Sequence, residues 1–192
     1  MFKVAIVGHS QVPEELVFDR EDVSVDIFRA PGGRASTFFL DRRMADVGHQ
    51  KYDLVILWLG SNDITPHCVV RKIADKLAFI VKDLERKCEA QVRMCLIEPR
   101  YPDGRLDQTT YEKVAKGINN LLQRRLLKKY RFISFGAKPF WDSLDTDGVH
   151  FDPIGCDHVA NKFRNCILNV KWEKEQSQII GRPILGATFV EG

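Results

Sequence analysis

Short apolar runs recur along the chain and are separated by longer amphipathic stretches. Five of these runs have the length of strands, and they cover residues 2–7, 23–28, 54–59, 92–97 and 131–135. The second run alternates apolar and polar positions, whereas the third is apolar throughout. Continuous apolar strands are expected where helices cover both faces of a parallel sheet. The runs therefore predict a parallel sheet that is buried on both sides.

Apolar residues at three- and four-residue spacing predict helices between the strands. The patterns cover residues 13–17, 36–47, 69–88, 109–130 and 153–168. The last begins at Pro153, directly after Asp152, an order that suits the N-cap and first turn of a helix. Alternating strands and helices predict an α/β fold. We expect a three-layer α/β/α sandwich of flavodoxin-like architecture around a five-stranded parallel sheet.

The length of 192 residues suits one domain. We divide the chain into a folded domain over residues 1–170 and a C-terminal tail over residues 171–192. The tail is polar to Gln178 and then apolar, with Gly181 and Pro183 interrupting the apolar part. The sequence leaves open whether the tail packs on the domain, binds a partner or stays loose.

Charge and cysteine content narrow the class of protein. The net charge of +3 gives no reason to expect a nucleic-acid partner. The basic run from Arg124 to Arg131 is interpreted as a solvated helix face, with a phosphate or lipid-headgroup patch as the alternative. Five cysteines without metal-ligand spacing indicate reduced thiols and no metal site. The apolar run after Met1 is too short for a signal peptide or a membrane span, so we expect a cytoplasmic protein.

Polar clusters follow the predicted strands, and one precedes the last predicted helix. In an open parallel sheet, ligands bind at the carboxyl ends of the strands. The four clusters are Gly8-His9-Ser10, Pro31-Gly32-Gly33, Gly60-Ser61-Asn62-Asp63 and Asp147-Gly148-Val149-His150. Their positions predict that they meet at one edge of the sheet.

The four clusters, in this order, resemble the sequence blocks of the SGNH (GDSL-type) hydrolase superfamily. The GxND block is met in full by residues 60–63 and the DxxH block by residues 147–150. The resemblance covers residues 8 to about 168. It implies ester hydrolysis through an acyl-serine intermediate, without a cofactor. By analogy with small members of the platelet-activating-factor acetylhydrolase type, the acyl group is expected to be short.

The resemblance implies a role for five residues. Ser10 is the nucleophile, and Asp147 and His150 complete the triad; the backbone N–H groups of Ser10 and Gly33 and the side-chain amide of Asn62 form the oxyanion hole. Chemistry supports these roles independently, because a serine hydroxyl needs a base such as histidine, and the histidine needs a carboxylate to hold its tautomer. The oxyanion needs preorganised donors.

Each of these residues also has a non-catalytic interpretation. Ser10 could cap a helix that follows the first strand. Asn62 and Gly33 could be ordinary turn residues. Asp147 could be a cap residue and His150 a structural histidine. The joint occurrence of all of them in family order favours the catalytic interpretation.

The first block departs from the family pattern, because His9 stands where the family usually has Asp. An imidazole brings no fixed negative charge, but the substitution removes no triad or oxyanion group. It motivates an alternative function, a catalytically weak binding module with the same fold. A second alternative is an esterase domain of a larger mobile-element or multidomain protein. In each case the expected partner is a small-molecule or acylated substrate, and neither metal, nucleic acid nor membrane is expected for this domain alone.

Overall fold

The computed structural model describes residues 1–18, 20–98, 106–126, 132–135, 144–147 and 149–179. The strands are β1 (Phe2–Gly8), β2 (Val23–Arg29), β3 (Leu54–Trp58), β4 (Gln91–Cys95) and β5 (Phe132–Ile133). The α-helices are α1 (Arg42–Ala45), α2 (Val70–Cys88), α3 (Gln108–Leu126) and α4 (Pro153–Ile179). Short 3-10 helices cover Asp46–His49 and Ser61–Asp63.

The strands form one five-stranded sheet in the order β2-β1-β3-β4-β5. Every neighbouring pair is parallel. The order changes direction between β1 and β3, since β2 lies on the far side of β1. Such a switch point leaves a crevice at the carboxyl ends of the strands. The predicted α/β fold with a five-stranded parallel sheet is confirmed.

The two faces of the sheet are covered by different helices. Alternate strand residues divide between two buried clusters: Ala5 and Val7 belong to one, and Val4 and Ile6 belong to the other. The first cluster includes the apolar faces of α2 and α3, whereas the second includes that of α4. Burial on both faces explains why the strands appear in the sequence as continuous apolar runs.

One predicted helix is absent from the described part of the structure, and a second is much shorter than predicted. Residues 13–17 form no helix. Within 36–47, residues 37–40 form turns, and α1 begins only after Asp41, whose side chain accepts a hydrogen bond from Arg43 N at 3.1 Å. The Asp63 carboxylate binds the N–H groups of Ala35 and Ser36, which ties the start of this segment to another loop.

The last helix is longer than predicted, because α4 runs to Ile179 rather than ending at residue 168. The division at residue 170 therefore falls inside α4. Lys171 is buried, and its Nζ forms a salt bridge with Asp22 at 2.8 Å. A lysine buries its aliphatic stem readily when the ammonium group has such a partner. Residues 180–192 of the predicted tail lie outside the described residues.

The basic run predicted from Arg124 to Arg131 lies partly outside the described residues. Of its described members, Arg124 is exposed and Arg125 forms a salt bridge with Asp75 of α2. The five cysteines are free thiols. Among the described helices, none is both long enough and apolar enough to cross a membrane.

Candidate active site

The nucleophile candidate lies where β1 ends against β3. A side chain at Gly8 would place its Cβ 2.4 Å from the Trp58 carbonyl oxygen, so only glycine fits this close approach of the strands. The next residue, His9, donates its backbone N–H to the same carbonyl at 3.3 Å. Ser10 then leaves the sheet at its carboxyl edge and is partly exposed.

The structure brings Ser10, His150 and Asp147 together in one hydrogen-bonded series. His150 Nε2 lies 3.1 Å from Ser10 Oγ, and His150 Nδ1 lies 2.5 Å from Asp147 Oδ2. The side chains of His150 and Asp147 are 48% and 50% exposed. The series has the order hydroxyl, imidazole, carboxylate, and it is open to solvent. The catalytic roles of these residues stay predictions.

A tight turn holds Asp147 against His150. Asp147 Oδ1 accepts the backbone N–H groups of Val149 at 2.8 Å and His150 at 2.9 Å. Together with the His150 ring, these bonds lower the pKa of Asp147 to about 2, the side-chain bond having the largest effect. The carboxyl group is therefore ionised at neutral pH. Three acceptor bonds on one side chain explain how a three-residue separation brings both groups to one place.

The residues after His150 fix this turn to the domain. Asp145 N donates to His150 O at 2.8 Å, beside a bridge between Leu144 and Phe151. The Phe151 ring stacks on Trp58 with centroids 6.2 Å apart. Asp152 Oδ1 then accepts Gly155 N at 2.7 Å, which caps the start of α4 as the sequence predicts.

The structure shows Gly33 in a bonded turn rather than with its N–H directed at an open site. Its N–H donates to Ala30 O at 2.7 Å. Gly32 has a φ of +73°, which suits a turn of type II with Pro31 before it. The expected role of Gly33 as an oxyanion donor stays a prediction; in the structure its N–H hydrogen is bonded to Ala30 O, because this loop closes on itself.

Asn62 and Asp63 tie the third block to the glycine loop. Asn62 Nδ2 donates to Gly33 O at 3.1 Å. The Asp63 carboxylate accepts Ala35 N at 2.7 Å and Ser36 N at 3.0 Å. The amide of Asn62 is thus held beside the loop by one of its two hydrogens. Asp63 acts on the loop backbone, a positioning role that the sequence analysis did not assign.

His9 is buried beneath the nucleophile, and its ring lies 5.3 Å from that of Trp58. The ring accepts the backbone N–H of Gln11 at Nδ1, over 3.3 Å. An accepting nitrogen carries no proton, so the geometry assigns the neutral imidazole. His9 therefore organises the backbone after Ser10 without adding a charge to the site.

Two further residues that the sequence analysis missed hold the Ser10 segment. Arg29 donates to Ser10 O from Nη2 at 2.9 Å and from Nε at 3.2 Å. Gln11 Nε2 donates to Val149 O at 2.5 Å. In the sequence, only the positions of these two residues could have indicated their roles. Gln11 directly follows Ser10, and Arg29 is the last residue of β2, at the same edge of the sheet.

Among the described residues, no group of three or more histidine, cysteine, aspartate or glutamate side chains is arranged to hold a metal ion. His67, which follows the third block, is exposed.

Solved structures with a similar overall fold identify the fold of this chain. A lipase/acylhydrolase from Enterococcus faecalis is 15% identical, with a TM-score of 0.62 over 90% of this chain and 97% of that chain. The esterase EstA from Pseudoalteromonas sp. is 15% identical, with a TM-score of 0.64 over 90% of this chain and 98% of that chain. The chain has the SGNH hydrolase fold.

A third similar structure is a carbohydrate esterase of family 3 from Talaromyces cellulolyticus. It is 19% identical, with a TM-score of 0.61 over 89% of this chain and 99% of that chain. No protein-family model matches the sequence, and no curated protein matches it. The structural neighbours are esterases and lipases, and at this identity the likeness shows the SGNH hydrolase fold.

Proposed function

We propose that this protein is a serine hydrolase that cleaves carboxylic esters through an acyl-Ser10 intermediate. The observation that carries the proposal is the series of Ser10 Oγ, the His150 ring and the Asp147 carboxylate, joined at 3.1 and 2.5 Å. A hydroxyl, an imidazole and a carboxylate in this order form the machinery of acyl transfer on several unrelated folds. The ester-cleaving names of the structural neighbours point to the same reaction class.

The reaction proceeds in two halves. Ser10 Oγ bonds to the acyl carbon while its proton passes to His150 Nε2, and Asp147 stabilises the charged ring at Nδ1. The tetrahedral intermediate collapses, the bond to the alcohol breaks, and His150 Nε2 returns the proton to the leaving oxygen. Water then attacks the acyl-Ser10 carbonyl with His150 as base, which frees the acid and restores the Ser10 hydroxyl. The steps use only groups of this chain and water.

The oxyanion of each intermediate needs donors at the same edge of the sheet. We assign the Ser10 backbone N–H and the Asn62 amide to this role. Gly33 N–H contributes as a third donor when its hydrogen is shared between Ala30 O and the substrate oxygen. Bonds in which one N–H is shared between two acceptors are common at helix termini. Loss of one oxyanion donor typically costs about 3–4 kcal/mol of transition-state stabilisation.

We infer the substrate class from the exposure of the triad candidates. The side chains of His150 and Asp147 are about half exposed, which supports a shallow, solvent-accessible site for the acyl group. We assign short-chain esters of small molecules, or of acylated surfaces, as substrates. The neighbouring esterase EstA is described as inhibited by monoethylphosphonate, a small phosphorus ester.

A covalent phosphonate probe tests the nucleophile without depending on the natural substrate. We expect an ethyl phosphonofluoridate to add one phosphonyl group to the wild-type chain, as Ser10 Oγ bonds to phosphorus and fluoride leaves. Intact-mass measurement and peptide mapping locate the adduct. Ser10→Ala is expected to stay unlabelled, while Ser177→Ala, an exposed serine on α4, is labelled as in wild type. Equal labelling of wild type and Ser10→Ala would contradict the proposal.

A further inference from the structure

Two segments that are far apart in the sequence meet at the candidate active site. One segment carries Ser10 and Gln11, and the other runs from Asp147 to His150. Gln11 and Val149 are 138 residues apart in the sequence. Among the described residues, a side-chain hydrogen bond between the two segments joins Ser10 to His150. A second runs from Gln11 Nε2 to Val149 O at 2.5 Å.

The Gln11 bond closes a ring of contacts around the site. Val149, which accepts from Gln11, donates its own N–H to Asp147 Oδ1 at 2.8 Å. Asp147 bonds to the His150 ring, the ring bonds to Ser10, and Ser10 is covalently joined to Gln11. Any shift of the Asp147–His150 turn away from Ser10 therefore has to break the Gln11 bond.

The base of the Gln11 side chain is itself held in place. The His9 ring accepts the Gln11 backbone N–H at 3.3 Å. Arg29 holds the carbonyl oxygen of Ser10, which belongs to the same peptide group, with two hydrogen bonds. The amide of Gln11 thus extends from a fixed peptide, and it transmits that fixed position to Val149.

A tether of this kind matters most in the acyl-enzyme. Once Ser10 Oγ carries the acyl group, it has no proton to share with His150, so the direct bond between the two segments is weakened. The side chains of Asp147 and His150 are about half exposed, and the turn that carries them is held to the domain by the bond from Asp145 N to His150 O and by the Phe151 ring on Trp58. Gln11 takes no part in proton transfer, and its bond to Val149 can persist through both halves of the reaction.

We propose that Gln11 is a positioning residue that keeps His150 in place for deacylation. This inference rests on the proposed function and names a residue that acts through Val149 rather than on the substrate. It is specific in its chemistry, because the side chain must donate a hydrogen bond and must have the length of glutamine.

The test compares Gln11→Met, which keeps the length and removes the donor, with Gln11→Glu, which replaces the donor by a carboxylate facing Val149 O. Gln123→Met is the matched control at an exposed position on α3. With p-nitrophenyl acetate, we expect kcat to fall roughly 10- to 100-fold in both Gln11 variants, because a misplacement of about 1 Å costs this much. We expect KM to fall with kcat and kcat/KM to change little, because slower deacylation lowers kcat and KM together. The fraction of acyl-enzyme in the steady state, measured by quenching and intact mass, rises above wild type.

A second measurement does not depend on turnover. Hydrogen exchange at the Val149 and His150 amides, which donate to Asp147, is expected to accelerate in the Gln11 variants and stay at the wild-type rate in Gln123→Met. Unchanged kcat and exchange in folded Gln11 variants would overturn the proposal. So would a fall in kcat without accumulation of acyl-enzyme. If wild type neither turns over ester nor labels with phosphonate, the proposed function fails, and the exchange rates alone decide whether Gln11 positions the turn.

Discussion

The guanidinium of Arg29 holds the carbonyl oxygen of Ser10 with two hydrogen bonds, from Nη2 at 2.9 Å and from Nε at 3.2 Å. The nucleophile candidate follows β1, whereas Arg29 ends β2, so the position of Ser10 depends on both strands. The remaining guanidinium nitrogen, Nη1, donates to the exposed carboxylate of Glu14 at 2.7 Å. The bonds to Ser10 are therefore the ones that bear on the site.

Arg29→Met removes both donors and leaves a side chain of similar length. Because hydrogen bonds from a charged group contribute about 1.5–3 kcal/mol each before solvent screening, we expect kcat for p-nitrophenyl acetate to fall by about tenfold. KM should change little, since the proposed mechanism gives Arg29 no contact with the substrate. Glu14→Gln, which alters only the exposed partner, is expected to retain wild-type kcat. A fully active Arg29→Met variant would show that β2 does not position Ser10.

Asp147 is expected to keep its charge as the pH falls. Its bonds to His150 and Val149 lower its pKa to about 2, so the carboxylate that orients His150 persists as pH falls until that value is approached. We therefore expect the side-chain carboxyl carbon resonance of Asp147 to stay at its ionised position until the pH approaches about 2. A titration of this resonance near the ordinary aspartate pKa of 3.8 would contradict the lowered pKa.

We expect the Asp147 carboxylate to be indispensable for activity at neutral pH. Asp147→Asn removes the charge that stabilises the His150 cation and favours the wrong tautomer. In other triads this change lowers kcat by about 10⁴-fold. Asp145→Asn, two residues earlier and exposed, is the matched control and should change kcat little. Comparable activity in Asp147→Asn and wild type would remove the carboxylate from the mechanism.

Glu98 gives the domain a distinct pH dependence of stability. Its carboxyl group is partly buried after β4 and accepts Phe135 N at 3.0 Å, and burial raises its pKa from 4.5 to about 7. The folded state therefore holds the proton more tightly than the unfolded state, and stability falls as pH rises from about 4.5 to 7. A shift of this size corresponds to at most about 3 kcal/mol.

Glu98→Gln removes this dependence and keeps an oxygen that can accept from Phe135. Relative to wild type, the variant should gain stability steadily between pH 4.5 and 7 and then stay level, as measured by urea unfolding. Glu112→Gln, an exposed position on α3, is the control and should show no such trend. A stability difference that does not vary with pH would contradict the raised pKa.

Trp58 forms the apolar floor beneath the site. It is buried, it stacks on Phe135 with centroids 4.7 Å apart, and Phe151 and His9 lie against it. We expect Trp58→Ala to lower the free energy of unfolding by about 3–5 kcal/mol. Trp172→Ala, an exposed tryptophan on α4, should remain within about 0.5 kcal/mol of wild type. A small effect at Trp58 would show that the aromatic stack contributes little.

The sheet and the helices that cover it could be predicted because their burial leaves a pattern of apolar residues in the sequence. Residues 54–58 are apolar throughout since both faces of β3 are covered, and the 3.6-residue pattern of α2 reflects one buried face. The region around residues 36–40 could not be predicted in this way. There, a carboxylate from Asp63 binds the backbone of Ala35 and Ser36, and this long-range contact overrides the local pattern.

The full length of α4 could not be predicted from the sequence for a related reason. Residues 171–178 look like a polar tail, but Lys171 is buried and reaches Asp22 of another loop. Such a partner cannot be identified from the helix sequence alone.

The residues of the candidate site that belong to sequence motifs could be predicted, whereas the residues outside the motifs could not. The four blocks predicted that the Ser10 segment and the Asp147–His150 turn lie close together, and the structure places them within hydrogen-bond distance. A turn at Gly33 was one of the two interpretations that the sequence left open, and its closing bond to Ala30 O could not be foreseen because it depends on how one loop folds. Gln11 and Arg29 carry no motif of their own, since their roles arise only from contacts with distant backbone oxygens.

The central claim is that Ser10 is the nucleophile of an esterase, and the most direct measurement is hydrolysis of p-nitrophenyl acetate and butyrate by wild type, Ser10→Ala and Ser177→Ala across pH 6 to 9. The account predicts turnover by wild type and Ser177→Ala, with acetate preferred, and a fall to background in Ser10→Ala with the fold intact by circular dichroism. Equal rates for wild type and Ser10→Ala, or background rates for all three folded proteins, would contradict it. The latter result would favour a binding module with the SGNH hydrolase fold.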